Sequence, residues 1–150
     1  MFLLDFALAF VLGMFSLIPT SEQFVNGQAS LDAHTVAAEV LEIRNNVQAA
    51  YGTRSSYAGL TTASSQTLGL VGASGPGSTT LQLSPDTDNP RLMVIDLAGI
   101  AQNAACVALV TENTWAWQSI TVNNTPVLGA DIRDVVRECD GVSRVVLRSL

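Results

Sequence analysis

Two cysteines, Cys106 and Cys139, carry the most distinctive chemistry in this chain of 150 residues. Cysteines that bind metal ions occur in close pairs such as Cys-x-x-Cys, whereas these two are far apart and the sole histidine, His34, is distant from both. A disulfide would close a loop of about 34 residues, stabilise the fold by about 3–4 kcal/mol and indicate an oxidising compartment. The alternative is two unpaired buried thiols. The sequence favours the disulfide and predicts no metal site here.

The other polar residues do not form a recognisable catalytic pattern. His34 lies near Asp32 and Glu39 in the sequence and could pair with either acid, but a lone histidine on a helix is more often a surface or packing residue. The segment Gly72-Ala73-Ser74-Gly75 is not the G-x-S-x-G motif of hydrolases, and no glycine-rich phosphate loop is present. The sequence therefore predicts no enzyme activity and no cofactor.

Composition limits the partners that the chain can bind. Charged residues make up 13% of the sequence and the formal net charge is −6. Nucleic-acid binding requires clustered basic residues, so no nucleic-acid partner is predicted. Asp86 and Asp88 could hold a cation, although a solvated turn is the simpler interpretation. Asn123-Asn124-Thr125 matches a glycosylation sequon, a short match that carries little weight.

The N-terminal segment, residues 1–18, is apolar apart from one acid, Asp5. As a helix it would be about 27 Å long, close to the roughly 30 Å hydrocarbon core of a bilayer. It lacks the basic start and small-residue cleavage site of a secretory signal peptide. No Lys or Arg precedes Arg44, so the nearest positive charge is the α-amino group of this chain or of a neighbouring copy. This arrangement predicts self-assembly, with a simple membrane anchor as the alternative.

A long amphipathic helix is predicted to follow the apolar segment. Apolar residues recur at three- and four-residue steps, which places them on one face of a helix over residues 22–51: Val36, Val40, Ile43, Val47 and Tyr51. Gly52 is the predicted stop. Residues 53–78 are rich in Ser, Thr and Gly and are predicted to form a long surface loop.

The last part of the chain is predicted to form strands mixed with short helices. Together with the long helix, this predicts an α+β fold. Strands are expected at Thr79–Leu83, Leu92–Asp96, Trp115–Val122 and Val142–Leu150. Helices are expected over residues 99–110 and over Asp131–Cys139, with Asp131 as the N-cap. The final strand should lie inside the sheet, because its apolar residues are continuous.

Together these features resemble the type IV pilin family, specifically its type IVb branch. The start, MFLLDF, is similar to that of a mature pilin with Asp5 in place of the usual Glu. Tyr57-Ala58-Gly59-Leu60-Thr61 resembles the Y-S-G-L/T segment that follows the spine helix in this branch. Residues 95–109 are similar to the strand and helix that bear the first family cysteine, here Cys106, and Cys139 matches the second.

The resemblance implies a pilin fold, in which a long N-terminal helical spine carries an antiparallel β-sheet head and a C-terminal region bounded by a disulfide. Residues 1–28 would be the protruding hydrophobic helix half, which serves as membrane anchor and filament core. Residues 29–150 would be the globular head, including the amphipathic half of the helix. Met1 would carry an N-methylated α-amino group that pairs with Asp5 of the adjacent subunit.

The resemblance also implies a function. The chain would be the major pilin, a homopolymeric subunit of an extracellular filament. It would be held in the inner membrane before assembly and handled by a leader peptidase and the pilus assembly machinery. The pilus could serve conjugation, adhesion, aggregation, DNA uptake or phage reception. The alternatives are a minor pilin, a type II secretion pseudopilin, or a membrane-anchored periplasmic binding module.

Three local expectations accompany this interpretation. Gly13 and Pro19 weaken helical structure, so an unwound or kinked segment is expected near residues 13–22 in the filament, and Pro19 lies slightly earlier than the usual pilin proline. No basic leader precedes Met1, which suggests the processed form. Residues 53–78 and 106–139 are expected to face neighbours and solvent.

Overall fold

The computed structural model of this chain describes residues 21–150, and it describes side chains from Asp32 onward. The predictions for Met1, Asp5, Gly13 and Pro19 therefore lie outside the described residues. Asp32–Leu150 forms one compact unit, which we call the head, and the domain boundary after residue 28 stays a prediction. In the described part of the chain, no helix has both the length and the apolar character needed to cross a membrane.

The first helix, α1, spans Ser21–Tyr51 and confirms the helix predicted from apolar spacing. Residues three and four positions apart lie on one helix face, so the apolar residues form a continuous buried stripe. Val40 and Val47 are fully buried, and Val36 and Ile43 are almost so. Tyr51 packs partly buried against the same core.

A five-stranded antiparallel sheet provides a large part of the remaining core. Its strands are β1 Thr80–Pro85, β2 Met93–Ile100, β3 Ser119–Val122, β4 Thr125–Pro126 and β5 Ser143–Ser149, in the order β1-β2-β5-β3-β4. The last strand, β5, pairs with β2 on one side and β3 on the other, so the prediction that it lies inside the sheet is confirmed. Alternate side chains of β5, including Val145 and Leu147, are fully buried, because successive residues of a strand point to opposite faces.

Three short helices complete the head: α2 Thr62–Thr67, α3 Asn103–Thr111 and α4 Ile132–Glu138. The helix predicted over Asp131–Cys139 is confirmed as α4. Asp131 caps it, since its side chain accepts a hydrogen bond from the Arg133 backbone N–H at 2.9 Å. This bond satisfies one of the backbone donors that a helix start leaves unpaired.

The long surface loop predicted over residues 53–78 contains regular structure that the sequence did not predict. This segment contains α2 and a short 3₁₀ turn at Pro76–Ser78. A reciprocal capping box holds the start of α2, because Thr61 and Ser64 each accept a hydrogen bond from the other's backbone N–H. The Ser and Thr residues that indicated a loop therefore act as a helix cap.

The predicted boundary between β2 and the following helix was wrong. Strand β2 continues to Ile100, which pairs with Ser143 after a register shift that follows Leu97. Gly99 has a φ of +78°, a conformation that glycine adopts without strain, as expected at a β-bulge. Helix α3 accordingly begins at Asn103 instead of residue 99.

The strand predicted over Trp115–Val122 is shorter in the structure. Trp115 lies in a 3₁₀ turn, Thr114–Ala116, and is 72% exposed. Only Ser119–Val122 forms β3. A two-residue turn, Asn123-Asn124, then leads into β4, which the sequence did not predict; both residues have positive φ, as tight hairpin turns require.

Candidate assembly surfaces of the head

A disulfide joins Cys106 of α3 to Cys139 at the end of α4, with their Cα atoms 5.6 Å apart. Both cysteines are fully buried. Beside it, the Asn103 side chain donates a hydrogen bond to Asp140 at 3.4 Å. The disulfide-bounded region predicted near the C-terminus is therefore confirmed, and it fixes the position of α4 against α3.

The side chain of His34 pairs with Glu112, at the end of α3, and not with Asp32 or Glu39, the two acids near it in the sequence. The His34 side chain is 59% exposed. Because Glu112 is far from His34 in the chain, local spacing could not indicate this contact. The pair joins α1 to α3 at the surface.

The other candidate ligand and modification residues have structural roles. The Asp86 carboxylate accepts hydrogen bonds from Arg148 Nε at 3.1 Å and from the Asn89 backbone N–H at 3.2 Å. Within residues 32–150 no group of three His, Cys, Asp or Glu side chains could hold a metal ion. The side chain of Asn123, the sequon residue, accepts a hydrogen bond from the Arg144 backbone N–H at 3.0 Å. Through these contacts, Asp86 forms part of the β1–β2 connection and Asn123 forms part of the turn between β3 and β4.

Arg44 connects α1 to the sheet, a role that sequence reasoning missed. Its Nε–H donates to Ser149 Oγ at 2.7 Å and to the Ala116 carbonyl oxygen at 3.1 Å. Its guanidinium also lies 5.6 Å from the centre of the Trp115 ring, within cation–π range. Nearby, burial raises the pKa of Tyr57 above 10.0, although the positive charge of Arg44 acts in the opposite direction.

We expect Arg44→Met to lower the free energy of unfolding by about 1.5 kcal/mol, because it removes charge-assisted hydrogen bonds to acceptors on two buried residues. The loss is limited because Ser149 Oγ still donates to the Ala116 carbonyl at 2.8 Å. Thermal unfolding of the full-length protein in mild detergent measures the change. Arg91→Met is the matched control, since exposed Arg91 forms no ion pair within residues 32–150. Equal losses in both variants would contradict the role of Arg44.

Several large apolar side chains are exposed in the two segments expected to face neighbours. Ile132 and Val136 lie one turn apart on α4 and are 53% and 52% exposed. Leu68, just after α2, and Trp115 are also exposed. Such side chains are available for contacts with other molecules, and their role in subunit contacts stays a prediction.

Comparison with known proteins finds a similar solved structure. No protein-family model and no curated protein matches the sequence. The crystal structure of TcpA, a type IV pilin from Vibrio cholerae El Tor biotype, superimposes with a TM-score of 0.54. The match covers 82% of this chain and 99% of TcpA, at 14% sequence identity.

This chain has the type IV pilin fold. The predicted α+β architecture is thereby confirmed, with a long helix followed by an antiparallel sheet and a disulfide in the C-terminal region. At this level of sequence identity, the feature that the two proteins share is the fold.

Proposed function

We propose that this chain is the major structural subunit of a type IVb pilus. One combination carries the proposal: a head with the pilin fold on a chain whose first 18 residues are apolar apart from Asp5. The fold supports a pilin-like subunit, and the apolar segment supports assembly through the N-terminus. We assign no catalytic role and no cofactor to the subunit.

Assembly moves the N-terminal segment from the inner membrane into a bundle of identical segments. Lipid tails and leucine-rich helices are similarly apolar, so this transfer has little hydrophobic driving force. A directional interaction must therefore set the register between subunits. We assign this role to Asp5, paired with the α-amino group of Met1 in the adjacent subunit.

The proposal includes a sequence of locations and partners. A leader peptidase processes and N-methylates the N-terminus, and the pilus assembly machinery then transfers the subunit from the inner membrane to an extracellular filament. Adhesion, aggregation, conjugation, DNA uptake and phage reception are all compatible with such a filament. The pilus would be a homopolymer along most of its length.

Immunogold electron microscopy of surface fibres tests this function. The full-length chain is produced in a bacterium that has a type IVb assembly system but lacks its own major pilin, and an antibody against the head labels the fibres. We expect label along the whole fibre and this chain as the dominant protein of sheared material. Label confined to fibre tips would instead indicate a minor pilin or pseudopilin, and folded subunits without fibres would indicate a membrane-anchored binding module.

A further inference from the structure

Exposed acids lie on the first half of the part of α1 within the head, and exposed arginines lie beyond the end of the helix. Asp32, Glu39 and Glu42 are exposed on its first half, and no Lys or Arg precedes Arg44 in the sequence. Arg54 follows the end of the helix, and Arg91, on the connection between β1 and β2, lines the same cleft as Arg54. Within residues 32–150, none of these five side chains forms an ion pair.

The acidic residues border open clefts. One cleft of about 400 Å³, which we call the acidic cleft, is lined by Asp32 and Glu39, by the Gly77-Ser78 turn and by apolar residues that include Ile100. Glu39 and Glu42 line a second cleft of about 420 Å³ on the adjoining surface. Glu39 therefore stands between two concave surfaces that could receive a positively charged side chain.

A cleft of about 410 Å³, the basic cleft, lies at the other end of the helix. Arg54, Arg91, Tyr51 and Tyr57 line it together with Leu150, whose backbone oxygen accepts a hydrogen bond from Gln48 at 2.8 Å. Asp88, an acid of the same β1–β2 connection, does not line it. The Arg54 guanidinium lies 5.4 Å from the centre of the Tyr51 ring. This cation–π contact holds the charge at the rim of the cleft, so less side-chain entropy is lost when Arg54 binds a carboxylate.

The distance between the two ends allows a stacked arrangement of heads. Helical rise places Glu39 and Tyr51 about 18 Å apart along α1. If copies lie parallel, the basic end of one can meet the acidic end of the next, and the contact repeats without closing, as an open filament requires. A closed antiparallel dimer would match the same charges but would stop at two copies.

We propose that the basic cleft of one head docks against the acidic cleft of the next copy, with Arg91 and Arg54 facing Glu39 and Asp32. The inference rests on the proposed pilus function, which supplies the parallel orientation. Charge complementarity identifies the occupant of each cleft as a second copy of this chain. The contact adds a polar head-to-tail interaction to the N-terminal bundle.

Charge reversal with rescue tests the contact in full-length protein assembled by cells. We expect Arg91→Glu and Glu39→Arg each to lower the yield of sheared fibres about tenfold or more, because like charges then face each other, and the combined variant to recover most of the yield. Asp88→Arg is the matched control, since Asp88 is exposed and lines none of the three clefts, and it should leave the yield unchanged. Normal yield from both single variants, or no rescue in the combination, would refute the contact.

Cysteine cross-linking provides a second test, and its result does not depend on the stability of the charge-reversal variants. The two native cysteines are already joined, so Glu39→Cys with Arg91→Cys introduces the only free thiols. We expect the double variant to form fibres like those of the wild type. After oxidation, these fibres should give a ladder of multimers on a non-reducing gel, and fibres of each single variant should give none. Dimers alone, or no cross-link, would refute head-to-tail stacking while leaving the pilus function intact. Absence of fibres from the unaltered chain would instead refute the pilus function.

Discussion

The Asp5→Ala variant should accumulate as a folded, membrane-inserted subunit and yield almost no surface fibres. In the proposed filament, the Asp5 carboxylate neutralises the positive charge of the α-amino group of a neighbouring subunit in an apolar core. Removing one partner of a buried ion pair costs about 3–5 kcal/mol, because the remaining charge is left unpaired. A cost of this size corresponds to a loss of about a hundredfold or more in the equilibrium for adding a subunit.

Quantitative immunoblotting of sheared fibres and of membranes from the same cells measures this effect. Asp5→Glu keeps the carboxylate and should retain most of the fibre yield. Asp88→Ala removes an exposed acid of the β1–β2 connection and should have no effect. Wild-type fibre yield from Asp5→Ala would show that subunit register does not depend on this carboxylate.

Replacing both cysteines, Cys106→Ala with Cys139→Ala, should lower the free energy of unfolding by about 3 kcal/mol. The disulfide restricts the unfolded chain, and in the folded head it joins α3 to the end of α4 at fully buried positions. Substitution by Ala avoids placing a hydroxyl group in that apolar site. The exposed face of α4, with Ile132 and Val136, depends on this link for its position.

Thermal unfolding with and without a reducing agent measures the contribution of the disulfide. Reduction should destabilise the wild-type protein by nearly the same amount as the double substitution and should leave the double variant unchanged. If the free energy of unfolding of the double variant lies within about 1 kcal/mol of the wild-type value, the chain-entropy argument does not hold for this loop.

Features set by local spacing were predicted correctly from the sequence. The buried stripe of α1 follows from the positions of Val36, Val40 and Val47 alone, because a helix repeats every 3.6 residues. Helix α4 with its Asp131 cap is equally local. The interior position of β5 follows from its continuous apolar residues.

Features set by distant partners could not be read from the sequence. Residues 98–105 include several alanines, which favour a helix, but pairing of Ile100 with Ser143 draws the first part of this segment into the sheet. Arg44 finds its acceptors on Ser149 and Ala116, and His34 finds Glu112. The charged clefts likewise combine residues from several elements, so only the folded head reveals them.

The most direct test of the account is a cryo-electron microscopy reconstruction of sheared fibres at side-chain resolution. We expect the N-terminal segments to form the filament core, with the Asp5 carboxylate about 3 Å from the α-amino group of Met1 in the adjacent subunit. We also expect the helix to be interrupted near residues 13–22. A map in which Asp5 faces solvent, or in which the heads alone build the fibre, would contradict assembly through the N-terminus.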